Sequence, residues 1–154
     1  MDRVGLFIAT CGYLGCVPVA PGTFGSAAGL LVFYVVRSTG STAVELSAII
    51  LLFAIGIWGG TVAERHFGGV DPAPVVLDEV VGMLITLAFL PVGAAGAIVG
   101  FFVFRVLDVV KPWPSARFER LPGGLGVMAD DGMAALYGNL AMRGLIAVMP
   151  GWLV

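Results

Sequence analysis

The sequence predicts an all-α protein, a compact membrane-embedded helical bundle whose re-entrant or broken helices surround one polar site. Three observations carry that prediction. Charged residues make up only 12% of the 154, and mean hydropathy is +1.04, where a soluble domain carries about a quarter charged residues. Such a chain belongs in a bilayer. Thirteen of the eighteen charges fall within 64–79 and 105–131, while 4–36, 46–63 and 80–104 hold none. Finally, 23 glycines and 9 prolines interrupt the apolar runs, and non-helical backbone survives at membrane depth only where protein or a water-filled cavity covers it.

The elements follow in order. Residues 4–22 can start as a helix, which Pro18 and Pro21 should end. The start is not basic and lacks a small-x-small cleavage site, so this segment is expected to be retained. Cys11 and Cys16 have no His or further Cys nearby and read as small apolar fillers rather than metal ligands. Thr23 or Ser26 is expected to cap a helix running toward Arg37, with Gly25 and Gly29 allowing close helix contact. Residues 46–63, eighteen without a charge, form the clearest transmembrane helix. Gly68, Gly69, Pro72 and Pro74 mark a loop, after which Asp78-Glu79 opens the next apolar run. Residues 132–154 read as a final helix that spans or lies deep. No linker or repeat divides the chain, so 1–154 is expected to be a single domain.

Run 80–104 decides the topology. As one straight helix it would set Asp78 and Asp108 ~45 Å apart, beyond the ~30 Å hydrocarbon core. A hairpin turning at Pro91-Val92-Gly93 returns both to one face. It also keeps Arg3, Arg65, Arg105, Lys111, Arg117 and Arg120 on one side, expected to be cytoplasmic, with Arg37 opposite.

Several functions are excluded. No basic cluster marks a nucleic-acid partner. His66 is the only histidine, so mechanisms that rely on several histidines cannot be built. No phosphate-binding Gly-x-x-x-x-Gly-Lys loop or dinucleotide fingerprint occurs. What remains is metal chemistry with oxygen ligands, for which Asp71, Asp78, Glu79, Asp108, Asp130 and Asp131 are the candidates. Hard cations such as Mg²⁺ take one or two carboxylates plus substrate phosphate. The competing reading is that Asp78-Glu79 and Asp130-Asp131 simply cap the helices they begin. Six acids beside a bilayer would repel one another unless cations joined them, and membrane-embedded charge is functional by default.

Arg105, Asp108 and Lys111 recur every three residues along one helical stripe, which suits a phosphate held against a metal. As ordinary i,i+3 pairs they would contribute only ~0.2–0.5 kcal/mol each. Trp58, Trp113 and Trp152 read as interface anchors. Arg117, Glu119 and Arg120 read as a solvated face, and Arg143 as a snorkelling or bundle-packed cation.

Three blocks resemble the phosphatidylglycerophosphatase A family. They are Pro21-Gly22-Thr23-Phe24-Gly25-Ser26; Asp71-Pro72 with Val76-Leu77-Asp78-Glu79-Val80-Val81-Gly82-Met83; and Phe104-Arg105-Val106-Leu107-Asp108-Val109-Val110-Lys111-Pro112-Trp113-Pro114, continuing through Gly123-Gly124-Leu125-Gly126 to Asp130-Asp131. The resemblance implies a Mg²⁺-dependent hydrolase of the bacterial inner membrane, multi-pass, with its site on the cytoplasmic side. The implied reaction removes the terminal phosphate of phosphatidylglycerophosphate to leave phosphatidylglycerol. By similarity Asp78, Glu79, Asp108, Asp130 and Asp131 are metal or catalytic acids, and Asp71 is a further candidate. Arg105, Lys111, Thr23 and Ser26 would contact the phosphate. A Mg²⁺-activated water or a covalent carboxylate could open the ester. The rival from another class is an ion-coupled transporter or channel component whose buried acids bind the ion.

Overall fold

The computed structural model describes residues 2–118 and 120–154, so Glu119 of the expected solvated face lies outside the described residues. Eight α-helices run in order: α1 Asp2–Ala9, α2 Pro21–Arg37, α3 Thr42–Phe67, α4 Leu77–Leu87, α5 Ala94–Val110, α6 Ser115–Phe118, α7 Gly124–Val148 and α8 Pro150–Leu153. A 3₁₀ turn at Leu14–Cys16 joins α1 to α2. No strand occurs among the described residues.

Helix α4 is the hub. Nine of its eleven residues are buried, and α2, α3, α5 and α7 pack around it. Phe33 of α2, Met83, Leu84 and Leu87 of α4, Phe104 of α5 and Ala135 of α7 form the central apolar cluster. Helix α3 is built the other way. Its buried residues are small ones plus Glu45: Gly56, Gly59, Gly60 and Ala63. These let neighbours approach closely. A Cβ on Gly124 would stand 2.2 Å from the Ile57 carbonyl oxygen, so glycine is required where α7 crosses α3. Some of the larger side chains of α3 face outward, with Ile50 60% and Leu51 61% exposed, while Ile49 and Leu52 pack against the core. With a window of mean hydropathy 2.1, α3 is the one described helix long and apolar enough to cross a membrane.

The hairpin expected of 80–104 is present. Helix α4 stops at Leu87 and α5 starts at Ala94, so Asp108 returns to the level of Asp78. The turn between them leaves backbone groups that side chains satisfy. The Phe89 N–H donates to Glu45 Oε1 at 3.0 Å, and Arg37 Nη2 donates to the Leu90 carbonyl at 2.6 Å. The Asn139 amide donates to the carbonyls of Ile85, Thr86 and Ala88.

Three expectations are corrected. Helix α1 ends at Ala9, before the prolines, because Cys11, Gly12 and Tyr13 all adopt positive φ. Neither Thr23 nor Ser26 caps α2: Ala20 holds the N-cap position without a side-chain bond and Pro21 opens the helix, where its fixed φ and missing N–H cost nothing. Helix α7 starts at Gly124, six residues before Asp130. Asp130-Asp131 is therefore inside a helix, where neither residue can cap it.

Candidate metal centre

Each pair of acids reaches the site by a different local route. Asp78 and Glu79 lie in the first turn of α4, whose N-cap is Val76 with no side-chain bond. The Glu79 N–H donates to Asp78 Oδ1 at 3.0 Å. Asp130 and Asp131 project from the second turn of α7, buried to 2% and 5% exposure. Successive helical residues point ~100° apart, so the two make different contacts. Asp130 pairs with Lys111, while Asp131 faces Asp78 and Glu79.

One oxygen from each of Asp78, Glu79 and Asp131 lies within 4.8 Å of the others. Glu79 Oε2 and Asp131 Oδ2 are buried and have no hydrogen-bond partner, although buried polar atoms are normally satisfied. Burial, then the neighbouring Glu79 charge, holds the Asp78 carboxyl well above the usual carboxylate range. Burial, then Asp108 and Glu79, does the same to Asp131. Glu79 is raised chiefly by burial, with Asp78 and Arg105 partly offsetting it. Three acids pressed together out of water have the donor chemistry that could hold a cation. Ligands opposite one another on Mg²⁺ stand about 4.2 Å apart, from bonds of 2.0–2.1 Å. Neighbouring ligands on the same ion stand about 2.9 Å apart, so the three oxygens would have to draw together to hold it.

The acids line a pocket of about 310 Å³ together with Ala20, Pro21, Gly22, Asp71, Ala73, Val75, Arg105 and Asp108. Arg105 Nη1 donates to Asp108 Oδ2 at 2.6 Å and stands 3.7 Å from Glu79 Oε1. Its Nη1 is also 3.5 Å from Ser26 Oγ, whose own hydroxyl donates to the Gly22 carbonyl. A Cβ at Gly22 would fall 2.3 Å from Glu79 Oε1 and 2.9 Å from Arg105 Nη1. A side chain there would push the Glu79 carboxylate and the Arg105 guanidinium out of their present positions.

Of the residues expected from the sequence, Asp71, Asp78, Glu79, Asp108, Asp131 and Arg105 line the pocket. Four sit elsewhere. Thr23 is exposed on α2 and outside the lining. Ser26 is fully buried behind Arg105, so it braces the guanidinium instead of meeting a ligand. Lys111, at the left-handed C-cap of α5, reaches Asp130 and comes within 3.7 Å of Asp71. It ties the 68–76 loop to α7. Asp130 stands behind the pocket as the partner of Lys111. Gly22, Ala73 and Val75 were not singled out from the sequence. Pro21-Gly22 ahead of an apolar helix was the one available signal, since a glycine after proline permits close backbone approach.

Cys11 behaves as the filler expected: burial, then the Glu79 charge, pushes its thiol up to about 11, so it does not form a thiolate. Trp58, Trp113 and Trp152 are exposed, as anchors would be, and Arg117 lies 5.6 Å over the Trp113 ring. Arg143 is exposed and donates to Asn139.

Sequence comparison adds an independent line. A profile of the phosphatidylglycerophosphatase A family matches residues 7–146. A protein named phosphatidylglycerophosphatase A from Escherichia coli K12 is 36% identical over 124 residues, 79% of this chain and 72% of its own. One of the same name from Haemophilus influenzae is 34% identical over 125 residues, 80% of this chain and 77% of its own. A relative from Bacteroides thetaiotaomicron, provisionally named a phosphatidylinositol-3-phosphatase, is 33% identical over 130 residues, 80% and 81% of the two chains. No solved structure matches the chain.

Proposed function

The chain belongs to the phosphatidylglycerophosphatase A family, and on that premise we propose that it hydrolyses the terminal phosphate monoester of phosphatidylglycerophosphate, giving phosphatidylglycerol and phosphate. The observation that carries the chemistry is the convergence of Asp78, Glu79 and Asp131 within 4.8 Å, two of them with a buried oxygen left without a partner. These three would hold Mg²⁺. When bound, the ion supplies positive charge for the phosphoryl oxygens and acidity for a coordinated water.

The remaining roles follow from position. Arg105 lies on the pocket wall with donors left over after Asp108, and its planar fork binds phosphoryl oxygens. Asp108 is outside the trio of converging acids and accepts a proton from the attacking water. Ser26 and Gly22 hold Arg105 in place, the first by its hydroxyl and the second by its lack of a side chain. Lys111 holds Asp130 on α7 and Asp71 in the loop over the pocket.

The chain is membrane-associated through its apolar surface. We infer further that it is multi-pass in the bacterial inner membrane, with the acid pocket facing the cytoplasm. The support is the excess of cations at the acid end, Arg65, Arg105, Lys111 and Arg117, over Arg37 and Arg143 at the other.

Purified protein given phosphatidylglycerophosphate should release phosphate with Mg²⁺ and stop with EDTA. Turnover that persists in EDTA would overturn the metal role. Faster release from phosphatidylinositol 3-phosphate would shift the substrate toward the one named for the Bacteroides relative.

A further inference from the structure

A second polar recess, of about 350 Å³, opens at the far end of the bundle, lined by Arg37, Gly40, Ser41, Thr42, Glu45 and Phe89 among others. Gly22 of the acid pocket and Arg37 are fifteen residues apart on α2, or ~22 Å along the axis. The two sites are separate.

Opposite charges line this recess without meeting. Glu45 is only 6% exposed, and one of its oxygens accepts from Phe89 while one Arg37 nitrogen donates to Leu90. A guanidinium has five N–H donors and a carboxylate about four acceptor sites, so most of that capacity is left over. Among the described residues no ion pair joins Arg37 and Glu45. A buried carboxylate and a nearby guanidinium, held apart across an open volume, are stabilised by a ligand bearing both complementary charges.

The surroundings identify the source of such a ligand. Helix α3 begins at Thr42 and has 26 residues, ~39 Å long against a ~30 Å hydrocarbon core. A recess at its first residue falls in the headgroup layer. Exposed Ser38 and Thr39 stand at the end of α2, and Val35 and Leu31, 69% and 70% exposed, lie one and two turns below them. Polar above apolar is the profile of a phospholipid.

We propose that the recess binds the headgroup of a zwitterionic phospholipid, its phosphodiester against Arg37 and its ammonium against Glu45. The assignment does not depend on the reaction at the acid pocket.

Titrating detergent-purified protein with dihexanoyl phosphatidylethanolamine and with dihexanoyl phosphatidylmethanol, an anionic phosphodiester that lacks the ammonium and is not a product of the acid pocket, tests it. The ethanolamine lipid should bind at least tenfold more tightly. Glu45→Gln keeps an oxygen for the Phe89 N–H but removes the charge, and should erase that preference. Val36 also lines the recess; Val36→Trp puts bulk into it while keeping Arg37 and Glu45, and should abolish binding of the ethanolamine lipid. Asp131→Asn should leave the preference intact, which separates this recess from the acid pocket. Equal affinity for the two lipids, or a preference that survives Glu45→Gln or Val36→Trp, would overturn the proposal. So would glycerophosphoethanolamine binding as tightly as the lipid, because the ligand would then be a soluble phosphodiester.

Discussion

Asp78-Glu79 and Asp130-Asp131 are the same dipeptide pattern in the sequence, two adjacent acids ahead of an apolar run, yet they occupy different structural positions. The first pair sits in the opening turn of α4, where amide groups are free and a carboxylate is electrostatically welcome. The second lies inside α7 beyond its first turn, where intrahelical bonds already use the amides. Nothing about helix ends explains Asp131, so its burial must be explained by what it faces. It faces Asp78 and Glu79. An acid pair at a helix start is weak evidence of a site, whereas an acid buried in mid-helix against other acids is strong evidence.

That comparison breaks entirely if the two pairs are on opposite sides of the membrane. In a background without Cys11 and Cys16, single cysteines at Gly69 and at Arg117 report the loops leading to each pair. Both should be labelled from the same side of sealed vesicles, and from the cytoplasmic side. Labelling from opposite sides would eliminate a shared site.

A smaller effect sharpens it. The folded protein holds Asp78 and Glu79 above their usual values of 3.8 and 4.5, so without metal it binds protons more tightly than the unfolded chain. Stability is then full below those values and is lost as pH rises through the raised ones. In EDTA the thermal midpoint of the detergent-solubilised protein should fall as pH rises above the ordinary carboxylate range, that is, above 4.5. The fall should be less steep in Asp78→Asn, and Mg²⁺ should reverse it in the unsubstituted protein. A midpoint that rises with pH above 4.5 in EDTA would contradict the crowding of acids.

Much of the fold was legible because apolar runs and proline–glycine breaks report directly on helix length. Helix α3 is the uncharged run 46–63 extended to its cap at Ser41, which accepts the Val44 N–H, and the turn at 88–93 is the break at Pro91-Val92-Gly93. The start of α7 was misread because Gly123-Gly124-Leu125-Gly126 looks like a loop. Residue 124 is helical, and it is a glycine because α3 leaves no room there for a side chain. The same steric logic, invisible in one sequence, hides Gly22. The acids and Arg105 were legible because charge is rare in this chain. Which cation meets the pocket was not, since Arg105 and Lys111 lie on one helical stripe and diverge only because α5 ends at Lys111 in a left-handed conformation (φ 44°). The burial of Glu45 was not legible, because its partner Phe89 is 44 residues away.

The central claim is that Asp78 and Asp131 act on one ion in one site, and a double-mutant cycle on phosphate release tests it most directly. Asp78→Asn and Asp131→Asn should each cut turnover by about 10²–10³ while the protein stays folded. If both acids serve the same ion, the double variant should be no more than about tenfold below the worse single one, because groups that act as a unit are not additive. Losses that multiply, or single variants that unfold yet keep full turnover per folded molecule, would contradict the shared centre.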